Sequence, residues 1–422
     1  MVKKKSNVPS TEWYLIPFGD CLSTLGNNTL PRAALNYDEG KIRNIHYGDV
    51  LIKFPSVLDV QREKLPYINS DVAYSIRSSF LQEGDVVIAD TAEDETVGKA
   101  TEISNLQDEV VVAGLHTIPC RPKNSKMFAS KYLGYYINHS SFHDQIVPYI
   151  TGIKVSSISK SSLEYAYISV PPIDEQERIV EILSDIDELI LNLEKLIAKK
   201  TAIKQGMMQE LITGSRRLEG FRGDWKEDTW ENVLNGFISG STPSRRRPEN
   251  FQGNIKWVSS GELNYNVIED TDEHISEAAF YTSNLTLHPA NTFLMAVTGM
   301  EAAGTRGRCA ILGSAAATNQ SCMAIYGSSK LEIEFLFYYY MLKGSDLANA
   351  YCQGTKQQSY TAKIVKGLPI FYPVDVEEQR EIIRVISDSD AEIKNLRKRH
   401  SKYIQMKQGL MSELLTGRTR LI

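Results

Sequence analysis

Apolar residues follow two different rhythms along this chain. Ile179, Ile182, Ile186, Leu189, Leu193, Leu196, Ile203 and Met207 recur at alternating spacings of three and four, interrupted only by Lys200. That is the heptad seam of a long helix. Leu183, Ile190 and Ile197 widen it into a buried face. A weaker seam runs through Ile382, Ile386, Ile393, Leu396, Tyr403 and Leu410. Pro171 and Pro172, or Pro373, mark each start, and Gly214 or Gly417 each stop. The pattern predicts helices near 174–213 and 376–416, each a rod of roughly 60 Å at 1.5 Å per residue.

Elsewhere the apolar residues come in short runs bounded by turn residues, which predicts strands. The first stretch has GDVLIKF (48–54), GDVVIAD (84–90) and EVVVAGLHTIPC (109–120), then a helical segment at 130–146. The second has IKWVSSGEL (255–263), NTFLMAV (291–297), GRCAILG (307–313) and SCMAIYG (321–327), then a helical segment at 332–344. In both, a polar glycine loop, a last strand and a proline follow.

The chain repeats itself. Residues 175–218 align without a gap to 378–421, 203 residues later, with 21 of 44 positions identical. Upstream, ITGIKVSSIS (150–159) aligns with CQGTKQQSYT (352–361) at an offset of 202. Two variable blocks therefore alternate with two near-copies of one helix. The implied division is 12–171 and 219–373 for the blocks, 172–218 and 374–422 for the helical segments.

Charge predicts how the helices pair. Asp174 to Glu194 holds eight acids and one base, and Lys195 to Gln209 four lysines and no acid. The second helix repeats this, with seven acids and two bases over 375–392, then six bases and no acid over 393–409. An antiparallel pair sets each acidic half against a basic half, and each helix also matches its own dipole. The expected fold class is α+β: two similar mixed α/β domains separated by two long antiparallel coiled-coil helices, a pseudo-twofold repeat. Either helix alone could equally be an ordinary core or oligomer helix; the duplication favours the spacer.

Composition narrows the function. No apolar run is long enough to span a membrane, and Met1 to Ser10 is basic and polar, unlike a secretory signal. Five scattered cysteines with no CxxC pair suggest a reduced, cytoplasmic protein. The net charge of −5 runs against the basic surplus usual for DNA binding, but much of the acid lies in the first halves of the helices.

No catalytic site can be argued. VPPI (170–173) lacks the polar first residue of a base-receiving loop, and VGKA (97–100) is not a phosphate-binding loop. Asp90, Glu93, Asp94 and Glu95 read as a solvated loop, and His139 with His143 as surface residues lacking a third metal ligand.

Several motifs, duplicated in order, carry a resemblance over essentially the full length. They are GSTPS (240–244) before IKWVSSGEL, GTRGRCAILG…TNQSCMAI (304–325), QGTKQQS (353–359), EEQREII (377–383) and KQGLMSELLTG (407–417). The sequence resembles type I restriction-modification specificity subunits. The resemblance implies a non-catalytic, cytoplasmic DNA-binding subunit acting in phage defence. Each target-recognition domain would read one half of a bipartite double-stranded site, and the helices would set the gap. Two methylation subunits would dock along the helices and use S-adenosylmethionine to methylate adenine at N6. Restriction subunits would bring ATP and Mg chemistry; no cofactor is expected in this chain. GNNTLPRAALN (26–36) departs from GSTPS in the first block.

Candidate DNA contacts are polar loop residues able to reach phosphates or base edges. In the second block they are Thr242, Ser244, Arg245, Arg246, Arg247, Arg306, Arg308, Lys356, Gln357, Gln358 and Ser359. In the first they are Arg32, Lys99, Lys154 and Ser157, the last two by alignment with Lys356 and Ser359. Ile179, Ile182, Ile186, Leu189, Leu193, Leu196, Ile382, Ile386, Ile393 and Leu396 should form the helix–helix contact. The competing reading is a protein-interaction scaffold with two binding domains on a coiled coil and no DNA role.

Overall fold

A computed structural model describes residues 12–73, 78–152, 154–299, 306–354 and 358–421. The chain forms two compact units, 1–194 with 398–422, and 195–397. The boundaries fall inside the two long helices, Ile173–Ile212 and Val376–Leu414, so each unit owns the first half of one helix and the last half of the other.

In the first unit the strands of the main sheet run in the order Leu22–Thr24, Thr117–Pro122, Val86–Ala89, Ala100–Ser104, Val57–Asp59. The second unit repeats this as Asn235–Ser239, Cys322–Tyr326, Phe293–Ala296, Cys309–Leu312, Asn266–Ile268. Pairing is antiparallel throughout except for the last strand of each sheet, which runs parallel to its neighbour. The central strands read as continuous apolar runs because both faces are covered. A two-stranded ribbon then leads into each long helix, Tyr14–Pro17 with Tyr167–Val170 and Trp225–Thr229 with Pro369–Pro373.

One predicted strand is corrected. GDVLIKF lies mostly in a helix, Tyr47–Ile52, because the His46 ring accepts the Gly48 amide proton and caps its start. The second unit uses Ser259 and Glu262 in a capping box at the corresponding place.

Within each unit the helix halves run antiparallel. In the first, Lys407 pairs with Asp187 at 2.6 Å and His400 with Glu194 at 3.0 Å. In the second, Lys200 pairs with Glu392 at 2.7 Å and Lys204 with Asp390 at 2.5 Å. As one number rises the other falls, and acid meets base as the charge halves require.

The predicted seam narrows. Ile179, Ile186, Leu193, Ile382, Ile386, Ile393 and Leu396 are buried, and Ile182 packs at the core margin. Leu189 is 47% exposed and Leu196 38%, so neither is a packing residue. Both stripes are apolar in sequence; the one carrying Leu183, itself fully buried, turns inward.

The start of each long helix is fixed by a glutamine with no exposed surface. Gln176 accepts the Ala129 amide proton and donates to the carbonyls of Met127 and Pro171. Gln379 repeats this with Glu332, Lys330 and Pro373. Beside it, Arg217 forks onto the buried Glu378 at 2.5 and 2.6 Å, and Arg420 onto Glu175 at 2.8 Å. Burial works against charge on Glu175, but Arg420, Trp13 and the Leu421 amide outweigh it and hold its carboxyl below the ordinary value. The tail of one long helix is thus tied to the head of the other in both units.

Candidate nucleic-acid interface

Sheet register decides where the loops go. In the second unit, Ser239 ends its strand beside Met323, and Ala296 ends its strand beside Cys322, which begins the next. Cys309 begins its strand opposite Met295. The segments 240–247, 297–299, 306–308 and 319–321 therefore emerge at one end of the sheet. Ser359 joins them, bridged to Thr298 and Gln353.

The first unit builds the same end. Ala89 lies opposite Thr117, Ala100 opposite Ile88, and Ser157 pairs with Thr91 and Thr151 as Ser359 does with Thr298 and Gln353. The Ala89 amide donates to the Lys99 carbonyl as the Ala296 amide donates to that of Arg308, which makes Lys99 and Arg308 equivalent. Gly98 and Gly307 precede them with φ of +89° and +73°; a side chain at Gly307 would meet the backbone of Gly344 and Ser345.

The departure at GNNTLPRAALN is one of residue identity, not of path. The Asn28 amide donates to the Ala113 carbonyl at 2.9 Å, and the Ser241 amide to Thr318 at 3.0 Å, from matching strands. Counting on from these, Arg32 falls at the place of Arg245. Both are held by carboxylates. Arg32 grips Asp49 at 2.6 and 2.8 Å; Arg245 grips Glu273 at 2.8 and 2.7 Å and lies over Phe251 and Trp257. The hydrogen bonds to those carboxylates raise both guanidinium pKa values. These arginines brace the loops through their carboxylate partners, and each side chain stays half exposed.

Lys99 is held as well. Its ammonium donates to the Leu51 carbonyl at 2.7 Å, and burial lowers its pKa. Arg246 and Arg247 are exposed with no side-chain partner among the described residues, and Ser244 beside them is exposed too; in the first unit, Lys154 is exposed. The Thr242 hydroxyl donates to Gln320, a residue the sequence reading passed over. Arg306 reaches Gln358 at 3.4 Å, and its carbonyl accepts the Tyr265 hydroxyl. Lys356 and Gln357 lie outside the described residues. The second unit thus exposes Arg246 and Arg247 on its loop surface, and the first exposes Lys154.

His139 caps a helix by accepting the Ser141 amide proton, and His143 meets the Val97 carbonyl at 2.9 Å. Among the described residues no cluster of three or more His, Cys, Asp or Glu could hold a metal ion, and no helix is long and apolar enough to cross a membrane.

Comparison with known proteins gives this arrangement its family. The type I restriction modification DNA specificity domain matches residues 40–205 and again 223–402. A putative type I restriction enzyme MjaX specificity subunit from Methanocaldococcus jannaschii is 29% identical over 244 residues, covering 54% of this chain and 55% of its own. The EcoR124I/EcoR124II specificity subunit of Escherichia coli is 22% identical over 245 residues, covering 57% of this chain and 60% of its own. The chain spans little more than half the length of these relatives. By fold, it resembles the type I S subunit from M. genitalium with a TM-score of 0.59 at 14% identity, covering 98% of this chain and 99% of that one. It also resembles the HsdS subunit from Thermoanaerobacter tengcongensis with a TM-score of 0.50 at 16% identity, covering 99% and 100%. With the duplicated domain matched across most of its length, the chain belongs to the type I restriction-modification DNA specificity family.

Proposed function

We propose that this chain is the sequence-reading subunit of a type I restriction-modification complex. Each unit reads one half of a bipartite duplex site through the loops at the end of its five-stranded sheet, and the long helices set the unspecified gap. One observation carries this reading: both units deliver loops of matched register to the same sheet end while the side chains on those loops differ. Equal scaffolds with unequal loops suit two readers of unequal sequence.

The chain contributes recognition, not chemistry. Two methylation subunits dock along the helices and carry the S-adenosylmethionine-dependent methylation of adenine N6; restriction subunits supply ATP- and Mg-dependent cleavage. The complex works on cytoplasmic DNA. With a net charge of −5, the chain binds DNA weakly without those partners.

Electrophoretic mobility of duplexes with the co-expressed methylation subunits tests the proposal. Scrambling either half of the methylated site should abolish specific retention, and scrambling the gap should not. Retention indifferent to both halves would favour the interaction scaffold.

A further inference from the structure

The DNA-facing end of the first unit carries a side-chain cluster that the second unit lacks. His116 immediately precedes the strand Thr117–Pro122 and has a left-handed backbone, φ +54°. For a non-glycine residue that conformation is uncommon and tends to occur where a side chain must be aimed. It is held by the Asp90 amide, which donates to the His116 carbonyl at 3.1 Å. The ring is held as well. Its Nδ1 lies 3.4 Å from the Asp90 carboxylate and 3.3 Å from the Thr91 hydroxyl, and Tyr47 meets it edge-on at 5.2 Å.

The opposite side of the ring is open. The His116 side chain is 46% exposed, and Nε2 makes no hydrogen bond among the described residues. Register assigns the second unit's counterparts. Thr117 and Cys322 both lie opposite the last residue of the neighbouring strand, so Ser321 takes the place of His116 and Val297 that of Asp90. Tyr47 follows the cap His46 as Ser260 follows Ser259. An imidazole, a carboxylate and a phenol in one unit are thus a hydroxyl, an isopropyl group and a hydroxyl in the other.

We propose that His116 is a specificity-determining residue of the first recognition domain, resting on the DNA-reading function above. The Thr91 hydroxyl spends its one proton on the Asp90 carboxylate at 2.7 Å, so its oxygen accepts from Nδ1–H of the neutral ring, and the Nε2 lone pair remains as an acceptor. In the major groove the complementary donors are the exocyclic amino groups of adenine (N6) and cytosine (N4); guanine and thymine offer acceptors there instead. His116 therefore restricts one position of the first half-site to an amino-bearing base. Asp90 and Tyr47 are positioning residues that act through the ring.

Methylome sequencing of strains carrying the complete complex with His116→Ala or His116→Gln tests this. In wild type, one position of one half-site should be held to A or C. In H116A that position should admit G or T, a loss of discrimination on the order of tenfold, with the other half-site unchanged. H116Q keeps a carbonyl acceptor and should discriminate better than H116A. A motif unchanged in both variants, or loosened equally in both halves, overturns the role of His116 while leaving the two-reader model standing. A wild-type complex that methylates no defined motif overturns that model and this inference together.

Discussion

Lys407 meets the Asp187 carboxylate at 2.6 Å, and the hydroxyl of Tyr135 donates to the same carboxylate at 2.8 Å. The second unit repeats the trio as Lys204, Asp390 and Tyr338, with distances of 2.5 and 3.2 Å. The lysine comes from the basic half of one helix, the aspartate from the acidic half of the other, and the tyrosine from a recognition domain. A single contact thereby fixes helix direction and domain attachment at once.

The buried stripe of the first long helix separates two neighbouring leucines. Leu193→Asp should lower stability by about 3 kcal/mol, since a buried unpaired charge is costly. Leu189→Asp, on the exposed stripe, should change it by about 0.5 kcal/mol or less. Thermal unfolding of the two variants checks this, and equal losses would place the seam wrongly.

The Arg217–Glu378 fork should be strongly asymmetric to mutation. Arg217→Ala leaves Glu378 buried without its cation and should cost about 3–5 kcal/mol. Replacing both residues together, as Arg217→Met with Glu378→Leu, should recover much of that loss. Denaturant titration of the single and double variants measures the difference.

His288 gives the second unit a pH dependence. Its ring is buried, with Nδ1 at 2.7 Å from the Tyr326 hydroxyl, and burial lowers its pKa from the ordinary 6.5 to about 4. The folded state therefore binds fewer protons than the unfolded state between those values. Stability from this site is complete above pH 6.5, falls as pH drops toward 4, and loses about 3 kcal/mol in all. His288→Gln should flatten unfolding curves measured between pH 7 and pH 4.

The arginines of the 245–247 loop should behave differently on DNA. Arg246→Ala should weaken binding to all sequences about equally and reduce its salt dependence, as for a phosphate contact. Arg245→Ala removes the brace to Glu273 and should reduce binding with little change in salt slope. Affinity of the assembled complex measured across a salt series distinguishes them.

The repeat and the helix polarity were legible because heptads and charge halves are local properties of the sequence. Sharing of each helix between two units was not, because Asp187 finds its partner more than two hundred residues away. The EQ pair stood in both copies, and its repetition was the available signal for Gln176 and Gln379 as anchors. The likeness of GNNTLPR to the GSTPSR loop was hidden because it resides in backbone bonds from Asn28 and Ser241. The bracing of Arg32 and Arg245 was hidden too: Asp49 and Glu273 come from different parts of their blocks and share no spacing. Leu189 and Leu196 misled because two adjacent apolar stripes satisfy one heptad pattern.

The central claim is that two similar units read two half-sites separately while the helices measure the gap. Methylome sequencing after replacing residues 12–171 with the matching block of a relative, alongside insertion of about four residues, one helical turn, after Leu211, tests it most directly. The block swap should change one half of the methylated motif, and the insertion should lengthen the gap with both halves intact. A swap that alters both halves, or neither, would contradict the account.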